Sequence, residues 1–108
     1  MESIKIISQA VEWKNKGHEV AIATVVETWG SSPRPVGSQM IINDDMDILG
    51  SVSGGCIEGA IAEEAQQILK NNKPKLLNYG ISNKTAWDVG LACGGKIQVF
   101  VEKITDTI

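Results

Sequence analysis

The sequence predicts a single α/β (α+β) domain, a mixed sheet of about five strands with helices packed on it, in the order α-β-β-β-α-β-β. Apolar residues recur at helical spacing over 3–16 and again over 57–71. Short runs rich in Val, Ile and Leu fill the stretches between and after them, as strands require. A length of 108 residues suffices for one core, so residues 1–108 form one domain.

The first helix, 3–16, sets Ile4, Ile7 and Val11 on one face with Ala10 and Trp13 beside it. Lys14, Lys16 and Gly17 end it, as suits a helix C-terminus, and His18 is expected there as a solvated partner of the dipole. Residues 20–29 are almost continuously apolar and β-branched, the pattern of a strand covered on both faces and central in its sheet. A turn-rich loop occupies 30–37. Strands over 38–43 and 48–52 follow, joined as a hairpin through Asp44-Asp45-Met46-Asp47.

The second helix, 57–71, repeats Ile57, Ile61, Ala65, Ile68 and Leu69 at helical spacing, with Glu63, Glu64, Gln66 and Gln67 opposite. Asn71, Asn72 and Pro74 stop it. Residues 75–79 form a short strand, 80–95 a long loop, and 97–101 a last strand, apolar on both sides. A loop of that length in so small a domain is more often a working loop than a passive connection. No internal repeat or low-complexity segment interrupts this order.

Composition narrows the function classes. A hydrophobic fraction of 43% and a charged fraction of 21% describe an ordinary soluble globular protein, and no apolar run approaches the roughly 20 residues of a membrane span. The N-terminus has no charged segment leading into an apolar one, so a cytoplasmic location is expected. Cysteines there are more often reduced and used than paired. A net charge of −3 argues against a general nucleic-acid binder, which needs a basic face. Two cysteines and one histidine are too few soft ligands for a closed zinc site within this chain.

The chemistry is concentrated in three glycine-rich segments. In Ser51-Val52-Ser53-Gly54-Gly55-Cys56-Ile57-Glu58-Gly59 a strand runs into a helix, which puts Cys56 at a helix N-terminus. Unpaired N–H groups and the dipole favour an anion there, either a bound phosphate or the thiolate itself. Such a thiol is a nucleophile or a soft-metal ligand, whereas a buried cysteine is only a small hydrophobe. No Gly-Lys-Ser/Thr follows, so nucleotide hydrolysis is unsupported.

Glu58 is placed either to polarise a ligand beside Cys56 or simply to complement the dipole of the first helical turn. In Gly30-Ser31-Ser32-Pro33-Arg34-Pro35-Val36-Gly37 two prolines flank the only arginine. They lower the entropy cost of presenting a guanidinium to phosphate or carboxylate; the alternative is a solvated surface side chain. The third segment, Asp88-Val89-Gly90-Leu91-Ala92-Cys93-Gly94-Gly95, mirrors the first cysteine's Gly-Gly pair. Trp29 and Trp87 border the first and third segments, with core packing the expected role of each.

Together these three ordered motifs resemble the N-terminal domain of the XdhC/CoxI family, accessory proteins of molybdenum hydroxylases such as xanthine dehydrogenase and carbon monoxide dehydrogenase. The resemblance runs from about residue 20 to 102. It implies a protein that binds molybdenum cofactor (molybdopterin) as transient cargo and assists its sulfuration, protection or insertion. It also implies a non-catalytic chaperone rather than an enzyme. The implied cofactor-binding residues are Ser32, Arg34, Ser53, Gly54, Gly55, Cys56, Glu58, Cys93, Gly94 and Gly95, with Cys56 and Cys93 as the molybdenum contacts.

Two alternatives stay open. One is a thiol-based sulfur-transfer or redox enzyme in which Cys56 carries a persulfide and Cys93 resolves it. The other is an assembly subunit that binds no cofactor. The expected partners are an apo molybdenum hydroxylase, a cysteine desulfurase and a separate Rossmann-like protein, since family members commonly carry a Rossmann-like domain after this one. A homo-oligomer is expected as well, with no nucleic acid and no membrane.

Overall fold

The computed structural model describes residues 2–29, 35–52, 57–80 and 96–105. Its elements run α1 (Glu2–Asn15), β1 (Val20–Trp29), β2 (Gln39–Asn43), β3 (Ile48–Gly50), α2 (Glu58–Asn71), β4 (Lys75–Gly80) and β5 (Lys96–Lys103). This is the order expected from periodicity. The five strands form one sheet in the order β3-β2-β1-β5-β4, so the long apolar strand β1 is central.

Every pairing is antiparallel, where the sequence suggested a mixed sheet. The β3-α2-β4 crossover explains the difference. It brings β4 back in the same direction as β3, as a helical crossover does, but lays it at the opposite edge, with β2, β1 and β5 between. The two parallel strands never become neighbours.

Alternation along β1 feeds two cores. Ala21, Ala23 and Val25 point into the larger one with Met40, Ile42, Ile97, Val99 and Val101, under α2. Val20 and Ile41 point the other way and meet Ile6 and Ala10 of α1. In α2, Ile61, Ala62, Ala65, Ile68 and Leu69 are buried, and each fully buried aliphatic side chain of Ile or Leu size stabilises the fold by about 1.5–3 kcal/mol. Asn72 then takes a left-handed conformation (φ 55°) and its N–H donates to Ile68 O at 2.8 Å, ending the helix.

Two faces differ from expectation. The buried stripe of α1 is Ile6 and Ala10 with Trp13 packed alongside, whereas Ile4, Ile7 and Val11 are 64%, 59% and 51% exposed. Both stripes satisfy helical spacing, and period alone does not rank them. On β5, Ile97, Val99 and Val101 are buried, while the intervening positions carry Gln98, Phe100 and Glu102 on a partly open face. That strand is apolar on one side only.

The β2–β3 turn is built by one side chain. Asn43 is fully buried; its Oδ1 accepts from the backbone N–H groups of Asp45 (2.9 Å) and Asp47 (3.0 Å), and its Nδ2 donates to Asp47 Oδ2 at 3.2 Å. Gln66 of α2 donates to Asn43 O at 3.0 Å, tying the turn to the helix. A buried amide is tolerated here because its hydrogen-bonding groups have partners.

Candidate functional site

The pairings fix the strand ends that flank the glycine-rich segments. Trp29, the last residue of β1, pairs with Lys96, the first of β5, and Lys96 pairs with Gly80, the last of β4. The strand ends that precede the first segment and follow the third therefore lie side by side. Gly50 ends β3 opposite Met40, which pairs with Ala23, so the chain leaves β3 in the direction in which β1 runs but level with the middle of that strand.

Gly50 makes this exit. It sits at φ +91°, and a Cβ there would lie 2.5 Å from Gln39 O and 3.0 Å from Met40 Cα. No L side chain fits both the conformation and the space. Pairing stops at Gly50, two residues short of the strand expected over 48–52, and Val52 turns into the core beneath α2.

Glu58 holds the other side of the segment. One carboxylate oxygen, Oε2, accepts from Ser51 Oγ at 2.7 Å and from Val52 N at 2.9 Å. Short charge-assisted bonds of this kind are among the stronger ones, and together they fasten the end of β3 to the first turn of α2. Glu58 thus ties Ser51 and Val52 to the start of α2. Helix α2 starts at Glu58 with Ile57 as its N-cap and no hydrogen bond from the cap side chain, so Cys56 falls one position before the cap.

Of the residues expected to form the site, Glu58 is the one the structure places. Ser32, Arg34, Ser53, Gly54, Gly55, Cys56, Cys93, Gly94 and Gly95 lie outside the described residues, as does Trp87. Near the same end, burial and then the charge of Glu64 push the Tyr79 phenol up to about 12, so it is neutral at physiological pH. The tie from Ser51 to Glu58 was not readable from sequence, because a separation of seven residues has no fixed meaning when a turn intervenes.

A second polar group lies at the opposite end of the sheet. His18 Nδ1 is 2.7 Å from Asp44 Oδ1 and 3.8 Å from Asp45 Oδ2, so His18 joins the exit of α1 to the β2–β3 turn rather than serving as a solvated dipole partner. Its hydrogen bond holds the Asp44 carboxyl below the usual carboxylate range. Among the described residues these three are the group whose ligand atoms converge as a metal would need, within 4.8 Å of one another. They are bonded to one another at the β2–β3 turn.

Comparison with known proteins agrees with this architecture. The chain is 35% identical over 99 residues to the molybdenum cofactor insertion chaperone PaoD of Escherichia coli, covering 92% of this chain and 31% of that protein. It is 29% identical over 89 residues to a protein of Bacillus subtilis named as a probable xanthine dehydrogenase subunit, covering 81% of this chain and 27% of that one. A crystal structure of a xanthine dehydrogenase from Bacillus halodurans superposes with a TM-score of 0.76 at 27% identity, over 93% of this chain and 30% of the other.

The chain thus spans under a third of the length of these relatives. No helix among the described residues is long and apolar enough to cross a membrane. The XdhC and CoxI family model matches residues 13–80, from the end of α1 to the end of β4, including two of the three glycine-rich segments, and the chain belongs to that family.

Proposed function

We propose that this protein is an accessory factor of a molybdenum hydroxylase, binding molybdenum cofactor as transient cargo for sulfuration, protection or insertion into the apoenzyme. The observation that carries the reading is the 35% identity to PaoD across nearly the whole chain. The pairing of Trp29 with Lys96 supports it, because the ends that flank the first and third segments are neighbours in the sheet.

The donor set suits the cargo. Thiolates of Cys56 and Cys93 are soft ligands for the metal or its sulfido group, and the Arg34 guanidinium with the N–H groups after Gly55 suits a phosphate dianion. Glu58 is a positioning residue in this account, since its carboxylate holds Ser51 and Val52 and thereby the ends of the Cys56 segment.

Titration with the phosphate-bearing pterin, followed by calorimetry under anaerobic conditions, tests the assignment. Cys56→Ser and Arg34→Ala are expected to weaken binding in the folded protein. Affinity equal to wild type in both variants would remove the glycine-rich end of the sheet from the site.

A further inference from the structure

We propose that His18, Asp44 and Asp45 form a binding site for a divalent transition-metal ion, with zinc the best suited. The inference stands apart from the cofactor reading, because none of the three residues belongs to a glycine-rich segment.

The ligands come from two chain segments that the sheet holds together. Val20 pairs with Asn43, and one step further out Asp44 N donates to Glu19 O at 3.1 Å, so His18 meets the β2–β3 turn across the end of the β1–β2 ladder. His18 N donates to Trp13 O at 2.9 Å, which fixes its backbone to the last turn of α1. The buried Asn43 amide holds the N–H groups of Asp45 and Asp47, so the turn is rigid before any ion arrives. His18 Nδ1 then stands 2.7 Å from Asp44 Oδ1 and 3.8 Å from Asp45 Oδ2, and the three ligand atoms lie within 4.8 Å of one another. Ligands about 2.1 Å from one ion lie at most about 4.2 Å apart, so closing the set takes under about 1 Å of movement. Asp45, with a side chain 69% exposed, is free to make it.

The imidazole selects the class of ion. Nitrogen with carboxylate oxygens suits zinc, cobalt and nickel, whereas calcium and magnesium take oxygen alone. Three protein ligands leave a further position to water, an open site and not the closed tetrahedron that the chain's cysteines and histidine are too few to build. Charge gives an independent reason. Among the described residues His18 is the basic partner of both carboxylates, since the nearby Lys103 pairs with Glu19 at 3.0 Å. A neutral imidazole offsets neither negative charge, and a divalent ion held by all three groups offsets both. Nδ1 coordinates through its lone pair, with the ring proton on Nε2.

Calorimetric titration with zinc chloride in a non-chelating buffer tests the site. The full chain is used without a tag and carries Cys56→Ser and Cys93→Ser, so that no thiolate competes. One zinc ion per chain is expected, with a melting temperature that rises with zinc concentration. Added to this parent, His18→Ala and Asp44→Asn should each weaken binding by at least the roughly 10-fold that loss of an outer-shell partner costs. Asp45→Asn should do the same and is the sharper variant, because it spares the 2.7 Å bond between His18 and Asp44 and removes only a ligand. Glu63→Gln, at an exposed carboxylate on α2, should bind zinc as the parent does.

Nitrogen–proton correlation spectra of the parent read the same site without further substitution: zinc should move the His18 Nδ1 resonance to that of a coordinated nitrogen and leave Nε2 protonated. A folded parent that takes up no zinc overturns the proposal. Zinc binding that survives His18→Ala and Asp45→Asn at parental strength, or that leaves the His18 ring unmoved, overturns it equally.

Discussion

At the scale of single residues, Gly50 and Glu58 control how the chain leaves the sheet and enters α2. Gly50→Ala adds a Cβ 2.5 Å from a backbone oxygen and holds an L residue at φ +91°, so it should cost more than the roughly 1–2 kcal/mol of a left-handed residue alone. Urea unfolding measures it, and a change below about 0.5 kcal/mol, the range of an inconsequential surface change, would mean that β3 ends some other way. Glu58→Ala removes the acceptor shared by Ser51 and Val52, with an expected cost of about 1.5–3 kcal/mol for hydrogen bonds to a charged group. Ser51→Ala should cost less, because the Val52 bond remains.

Asp44 gives a residue-scale prediction in pH. Its folded pKa lies below the ordinary value of 3.8, so the stability it contributes is present above 3.8 and is lost as pH falls through the lower folded value. The first cause is the hydrogen bond from His18. His18→Ala should therefore let the Asp44 carboxyl titrate nearer 3.8, as followed by carbonyl NMR shifts, and an unmoved midpoint would show that the turn's own backbone sets it.

At the scale of elements, α1 shows most clearly where pattern and packing part company. Ile4, Ile7 and Val11 make as regular a stripe as the buried one, yet the sheet takes Ile6 and Ala10. The choice depends on the shape of the surface offered by Val20 and Ile41, which no local pattern contains. Ile6→Ala should cost about 2–5 kcal/mol at any protein concentration, the usual range for a buried Ile truncated to Ala. Ile4→Ala, at a side chain 64% exposed, should cost no more than about 0.5 kcal/mol. Equal losses from both variants in dilute protein would contradict the orientation of the helix.

Helix α2 was legible by contrast, since its polar side is crowded with Glu and Gln and one face alone can enter a core. Its buried set follows the spacing of Ile61, Ala65, Ile68 and Leu69, with Ala62 added. The outward face of β5 was harder to read because Phe100 lies between Gln98 and Glu102, and one aromatic does not make a buried face.

At the scale of the whole molecule, element order was legible and strand neighbourhood was not. Residues 20–29 declared a central strand through continuous apolar character, and the structure puts β1 third of five. That β4 pairs beyond β5 rather than beside β3 depends on how far α2 carries the chain across the sheet. The candidate site was legible as chemistry, in cysteines and an arginine set among glycines. That the ends flanking its first and third segments are neighbours needed the pairings of Trp29 with Lys96 and of Lys96 with Gly80. The clamp of Glu58 on Ser51 and Val52 needed coordinates outright.

The central claim is that this small unit carries molybdenum cofactor, and its composition when purified tests that most directly. Protein isolated without air from a host that makes the cofactor should contain molybdenum and pterin in equal amounts, approaching one per site, and Cys56→Ser should lose both while keeping its fold. Wild-type protein that is folded and associates with the apo-hydroxylase, yet contains neither metal nor pterin, would contradict the account and mark the chain as an assembly factor without cargo.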